Sequence, residues 1–221
     1  MSDEPGRHDA TVWVHRDAQV VWHGFTQMSG YEESSPVVVE RAEGRELIDV
    51  DGNRYLDAIS SLWVTTLGHH VSELDAAVRD QLDKVAHTTM LGNGNRTTVE
   101  LAEDLAPRLP VDRPHLMFAS DGANAVEQAL KMAFQYWANL ADRGDHPGAE
   151  GRTTYLALEA AYHGDTIGAI SLGGGGFGTD VFDPLRFPVV RAPGPGTPQW
   201  SRTAAELMSS IHRYGSGTFT P

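Results

Sequence analysis

His115-Leu116-Met117-Phe118-Ala119-Ser120-Asp121-Gly122-Ala123-Asn124-Ala125 reads as a strand, a turn and the start of a helix. The first four residues form a short apolar run, the mark of a buried strand. Small residues and Asp121 follow, and Gly122 opens a long helix. Val126, Leu130, Ala133, Trp137 and Leu140 lie on one stripe of that helix, and Arg143-Gly144-Asp145 ends it. Carboxyl-terminal to it, Thr154-Tyr155-Leu156-Ala157-Leu158 predicts another strand. Phe187-Pro188-Val189-Val190 predicts a third, weakened by a proline that cannot donate to a ladder. Thr203-Ala204-Ala205-Glu206 opens a short last helix. Strand, helix, strand in this rhythm argues for an α/β fold with a parallel sheet.

Toward the amino terminus the spacing changes. Thr97-Thr98-Val99-Glu100 is a capping box, in which a threonine oxygen takes an orphan amide and Glu100 reaches back. Leu101, Leu105 and Leu109 continue that helix until Pro110 stops it. Leu74, Val78, Leu82 and Val85 fall on one face of an earlier helix. Before it, Pro36–Val39, Glu46–Val50 and Arg54–Asp57 predict a small meander or hairpin, turning at Asp51-Gly52-Asn53. Residues 1–20 read as a polar, loosely held leader.

The composition excludes several classes of function. The chain has 221 residues, 40% hydrophobic, which is enough for a core. Thirty acids against 17 Lys plus Arg give a net charge of -13, which disfavours nucleic acid. There are no cysteines, hence no disulfides, thiolate metal sites or cysteine nucleophiles. The first ten residues lack a signal peptide's apolar stretch. No apolar run approaches the ~20 residues of a membrane span. The expectation is a soluble, cytoplasmic protein with no membrane partner.

Four segments could carry chemistry. In Ala119–Ala125, a helix N-terminus with little side-chain bulk offers amides and a positive dipole to a phosphate. An ordinary capped turn has the same pattern. In Ala161-Tyr162-His163-Gly164-Asp165-Thr166 an aromatic leaves a strand end, where open α/β sheets bind ligands, and Tyr162 could stack on a planar ring. A polar loop leading to a capped helix reads the same way. Gly173-Gly174-Gly175-Gly176-Phe177-Gly178 matches the dinucleotide fingerprint only formally, because Thr179–Pro184 opens no helix. We read it as a loop. Ser60-Ser61-Leu62-Trp63 precedes Gly68-His69-His70. Adjacent histidines point apart, so no metal site is expected, and Trp63 reads by default as core. The only lysines are Lys84, near the polar face of its helix, and Lys131, four residues after Glu127 as in a surface pair. Both look structural.

Five strings occur in one order: Trp22-His23-Gly24-Phe25-Thr26-Gln27-Met28, Ser60-Ser61-Leu62-Trp63, Asp121-Gly122-Ala123, Lys131-Met132-Ala133-Phe134-Gln135-Tyr136-Trp137 and Tyr162-His163-Gly164-Asp165-Thr166. Together, over about Val21 to Trp200, they resemble the class III, pyridoxal-phosphate-dependent aminotransferases. The second half of the first string and the fourth string are similar to the branch that works in biotin synthesis. The resemblance implies an α/β protein of the pyridoxal-phosphate transferase fold type I. It also implies pyridoxal 5'-phosphate as cofactor, and a small-molecule amino donor and keto acceptor as substrates. Gly122 and Ala123 would hold the cofactor phosphate and Tyr162 would stack on its ring. His163 completes that loop and Glu127 lies near the cofactor. Phe25 and Trp63 would be substrate-pocket walls and Asp165 a pocket carboxylate. Thr89-Met90-Leu91-Gly92-Asn93 resembles a segment that enters a partner subunit's site, as in the family's homodimers.

This chain departs from the family in places. Some members have Tyr at the position of Phe25 and Trp at that of Leu62; losing a hydroxyl and an indole there could change the amino donor or the acceptor, so the resemblance leaves the specific substrate open. Another class III omega-aminotransferase acting on a different amine or ketone is the alternative, as is a non-catalytic fragment that binds a partner chain. Family members are about twice as long, and their second half carries the Schiff-base lysine. Neither Lys84 nor Lys131 matches it, so no catalytic residue is assigned. The organisation expected is a leader over 1–20, an N-terminal small-domain segment with dimer and pocket helices over 21–110, the first part of the cofactor-binding large domain over 111–200, and a divergent tail over 201–221. In the family's sheet order, 3-2-4-5-6-7-1, the strand at His115–Phe118 would lose its only partner and that at Thr154–Leu158 would keep one. We therefore expect an incomplete large-domain sheet, a poorly stable isolated chain and, in one reading, a complementing chain.

Overall fold

The computed structural model describes residues 9–194, except Asp145, Pro147 and Phe177. It divides into two compact units between Glu100 and Leu101. The helix expected from Thr203, and the tail, lie outside the described residues.

The first unit opens with a helix, α1 (Ala10–Val20), where a loose leader was expected. Asp9 caps it, its carboxylate accepting the Thr11 and Val12 amides. Val14 is buried, and the Ala10 amide donates to Asp51 at 3.0 Å. A capped first turn and one anchored apolar side chain order a segment of polar composition.

β1 (Val39–Glu43), β2 (Glu46–Asp49) and β3 (Arg54–Leu56) form the expected meander, an antiparallel sheet in that order. The first strand starts at Val39 rather than at Pro36, since proline lacks the amide a ladder needs. Asp49 makes the β2–β3 turn. Burial opposes its ionisation, but bonds from the Asn53 side chain and amide, the Tyr55 hydroxyl and the Asp51 amide outweigh it and lower its pKa. Ile48 in β2 and Val50 in the turn after it are buried.

A single left-handed turn, α2 (Ser60–Trp63), follows. After it come α3 (Ser72–Lys84) and α4 (Arg96–Leu105). The apolar face of α3 is where the spacing predicts it, yet Leu74, Val78 and Leu82 are exposed. The cap of α4 is Asn95, which accepts the Thr98 amide at 2.9 Å, and not a threonine. Glu100 faces Arg96 instead of reaching back. The helix tightens into a 3-10 turn at Ala106–Arg108, short of Leu109.

The second unit is built on α5 (Gly122–Arg143), capped at Asp121 and closed at Gly144, as the sequence predicts. β4 (Tyr155–Leu158) pairs in parallel with β5 (Val189–Ala192), Tyr155 opposite Val189 and Leu158 opposite Ala192. The second strand starts two residues later than expected, beyond Pro188. α6 (Ile167–Leu172) lies between them in sequence, as a parallel pair requires a crossover. His115–Phe118 joins no sheet among the described residues, and β4 keeps the single neighbour β5. Met117 and Phe118 are exposed, against the buried strand expected here; an apolar run without a neighbour to take its backbone bonds makes no strand.

Candidate functional site

Two of the segments singled out in the sequence meet in the second unit. Asp121 ends the extended segment and accepts the Asn124 amide at 2.8 Å. That bond, the Asn124 side chain and Ser120 keep its carboxyl below the usual range. Gly122 and Ala123 are the first two residues of α5, and open space lies where a Gly122 Cβ would stand. The second segment comes directly against them. A Cβ built on Gly164, whose φ is +116°, would lie 2.5 Å from the Ala123 Cβ. Only glycine allows both the backbone angle and the approach.

Glu127, one turn along α5, closes the junction. Its Oε1 accepts the Thr166 hydroxyl at 2.6 Å and the Gly168 amide at 2.9 Å. A Gly168 Cβ would sit 2.4 Å from the same carboxylate. The expected Glu127–Lys131 surface pair is therefore not the bond Glu127 makes. Tyr162 is exposed, and its hydroxyl donates to Asp165 at 2.7 Å, which raises the phenol pKa. His163 is half-buried in the same loop. The junction of these two segments offers two helix-opening amides, an exposed ring with a fixed hydroxyl, and no bulk between strand end and helix.

Lys131 lines an open cleft of about 560 Å³ on α5 with Leu130, Phe134, Ala138, Tyr155 and Phe187. It lies nine residues beyond Gly122, about 13 Å along the helix axis. Lys84 is paired with Asp80 on α3. Neither lysine stands at the helix opening.

The remaining site candidates are in the first unit. Phe25 has a positive φ of 54° and an exposed ring. Trp63 is 73% exposed, against the default expectation of a core residue. His69 and His70 do point apart, to Asp57 at 2.7 Å and Asp75 at 2.5 Å. Among the described residues no cluster of three or more His, Asp or Glu could hold a metal, and no helix is long and apolar enough to cross a membrane. Leu91, in the segment expected to meet a partner subunit, is exposed. The glycine-rich loop leads into a 3-10 helix (Thr179–Leu185), not the α-helix of a dinucleotide site.

The sequence profile of the family "Aminotransferase class-III" matches residues 28–213. The chain belongs to this family. Adenosylmethionine-8-amino-7-oxononanoate aminotransferase of Nitratidesulfovibrio vulgaris is 47% identical over 81% of the chain and 32% of its own length. That of Methanocaldococcus jannaschii is 43% identical over 77% of the chain and 36% of its own length. The solved structure of the M. jannaschii protein superposes with a TM-score of 0.81 at 38% identity, over 94% of this chain and 46% of that one. A thermostable (S)-enantioselective omega-transaminase from Thermomicrobium roseum gives 0.76 at 30%, over 94% and 47%. A PLP-bound aminotransferase mutant from Vibrio fluvialis gives 0.75 at 28%, over 94% and 48%. The chain thus spans about a third of the length of these curated class III relatives. Family and neighbours point to pyridoxal 5'-phosphate as the cofactor, and the donor set at the α5 opening fits its phosphate.

Sequence reading missed three features of this class III chain: the Thr166–Glu127–Gly168 clasp, helix α1, and the packing of Asp57 against Ser61 and His69. The small residues Gly164 and Gly168, four apart around a threonine, were the available signal for the first.

Proposed function

We propose that this chain supplies the cofactor cradle and pocket walls of an aminotransferase that aminates 8-amino-7-oxononanoate to 7,8-diaminononanoate in biotin synthesis. The observation that carries the reading is the close seating of Gly164 on Ala123, with Glu127 bonded to Thr166 and Gly168. It brings the glycine-opened helix and the Tyr162 loop into one cradle. Gly122 and Ala123 present amides to a phosphate, and Asp165 fixes the hydroxyl of Tyr162, whose face is left for a pyridine ring. Glu127 does not touch the cofactor in this reading; it holds the loop onto the helix. When bound, the cofactor supplies the electron sink of amine transfer. Phe25 and Trp63 are pocket walls, and Asp165 a carboxylate for the substrate amine. The enzyme works as a homodimer in the cytoplasm.

These 221 residues do not turn over by themselves. The proton at the reacting carbon needs a lysine at the cradle, and Lys131 stands about 13 Å along α5 from Gly122. The lysine comes from outside these residues, in the same or a complementing polypeptide. Titration of the purified chain with pyridoxal 5'-phosphate tests both parts. Binding that inorganic phosphate displaces, and that Gly122→Asp lowers at least tenfold, is expected. So is no borohydride-stable label on Lys84 or Lys131. Phosphate-insensitive binding overturns the cradle, and steady amination by the chain overturns the need for a lysine from elsewhere.

A further inference from the structure

The turn α2 is the most strained backbone among the described residues. Ser60, Ser61, Leu62 and Trp63 have φ of 52°, 47°, 64° and 72°, four successive non-glycine residues in the left-handed region. There Cβ crowds the following carbonyl, so such residues normally occur singly. Burial of the turn's side chains does not offset the cost, because Leu62 and Trp63 are exposed. Its backbone bonds are the Ser60 amide to Asp57 at 3.3 Å, the Trp63 amide to Ile59 at 2.8 Å, and the Val64 and Thr65 amides to Ser60, the latter at 2.9 Å; none is made by the amide of Ser61 or Leu62.

The support comes from Asp57. Its side chain is only 6% exposed. Oδ1 accepts the Ser61 amide and Oδ2 the Ser61 hydroxyl, both at 2.8 Å. His69 Nε2 lies 2.7 Å from the same Oδ2. Both ends of this contact are bolted to the β1–β2 turn. The Asp57 amide donates to the Arg45 carbonyl at 2.8 Å, and His69 exchanges two backbone bonds with Gly44, at 3.1 and 2.7 Å. The serine hydroxyl faces the carboxylate and not the imidazole, so this is not a nucleophilic arrangement. It is a brace. Bonds to a buried carboxylate are charge-assisted and strong, and strain kept beside exposed apolar side chains marks a functional surface.

We propose that Asp57, backed by His69, is a positioning residue: it holds Ser60–Trp63 in its left-handed turn and thereby fixes Trp63 as a wall for the keto substrate. The link to substrate rests on the aminotransferase reading above; the brace itself does not.

The test uses the full chain and two readouts, deuterium uptake of residues 58–66 and the near-ultraviolet dichroism of Trp63, taken as the difference from Trp63→Phe. Asp57→Ala raises uptake at least tenfold and abolishes the Trp63 band, while β2 stays protected. Asp57→Asn keeps most of both, since its carbonyl still accepts from Ser61. Leu62→Gly restores the band in the Asp57→Ala background, because glycine adopts the left-handed region freely. A structural cap with no hold on the turn's handedness would show no such rescue. Unchanged uptake in Asp57→Ala, or failure of Leu62→Gly to rescue, overturns the brace. Should Asp57→Ala not fold, His69→Gln carries the same test, with a smaller rise in uptake expected and an unchanged Trp63 band overturning the proposal. Quenching of Trp63 by added 8-amino-7-oxononanoate tests the second half separately. A tenfold weaker response in Asp57→Ala supports it. Equal response in an Asp57→Ala chain whose turn has loosened overturns the role toward substrate.

Discussion

The two regions that carry the candidate residues solve the same problem in opposite ways. In the second unit a loop is brought onto a helix by omitting side chains: Gly164 and Gly168 leave room for Ala123 and Glu127. In the first unit a turn of four side-chain-bearing residues is forced into a glycine-like conformation and braced by one buried carboxylate. Close approach needs glycine because Cβ has volume. An unusual backbone angle needs only enough bonding to outweigh its cost. The second solution keeps the large apolar side chains of Leu62 and Trp63 exposed on the turn, which glycines could not provide.

This contrast can be broken most sharply at Gly164. Gly164→Ala places a methyl against Ala123 and strains a positive φ, so urea unfolding should show a loss of about 3 kcal/mol or more. A loss below about 1 kcal/mol would mean that the loop does not sit on α5. Glu127→Ala comes next, about 2 kcal/mol, because the Thr166 hydroxyl and Gly168 amide lose their acceptor; Glu127→Gln should recover roughly half of that. The opposite sign is expected at Leu62, where glycine relieves the left-handed cost and should stabilise by about 1 kcal/mol. Destabilisation there would mean that the turn is not left-handed.

The pH dependence bears on both regions. Bonds from Ser61, and then His69, hold Asp57 below the usual carboxylate range, as bonds from Asn124 hold Asp121. A depressed carboxylate pKa stabilises above the unfolded value, near 4, and that stability is lost as pH falls through the folded value. Both units should therefore weaken together below about pH 4, as monitored by dichroism. At the alkaline end Tyr31, bonded to Asp17, has its pKa raised to about 12. Its contribution is full below the ordinary tyrosine value, near 10, and is lost as pH rises toward the folded one. Tyr31→Phe should flatten that alkaline step. The smallest effect is expected at Lys84→Ala, about 0.5 kcal/mol or less, since its pair with Asp80 is exposed.

Much of the fold was legible where local chemistry is sufficient. Asp121 and Gly144 fixed the ends of α5 because capping needs only neighbouring residues. The Asp51-Gly52-Asn53 turn and its flanking strands could be read for the same reason. The cap at Asn95 was misassigned to a threonine because several side chains within one turn compete for the same amides, and geometry chooses among them. The cradle was half legible: both segments were found singly, but neither announces that Glu127 reaches Thr166, 39 residues away.

The sequence by itself determined the family, through five ordered strings, and the positions of the helices and turns whose signals are local. It also showed that His115–Phe118 is an apolar run. Whether such a run becomes a strand depends on a neighbour that can take its backbone bonds. Only tertiary structure decided that, as it decided the partner of Glu127, the exposure of Trp63 and the hand of the Ser60–Trp63 turn. Each of these depends on atoms distant in sequence competing for the same volume or the same hydrogen bond, and no local pattern records the outcome.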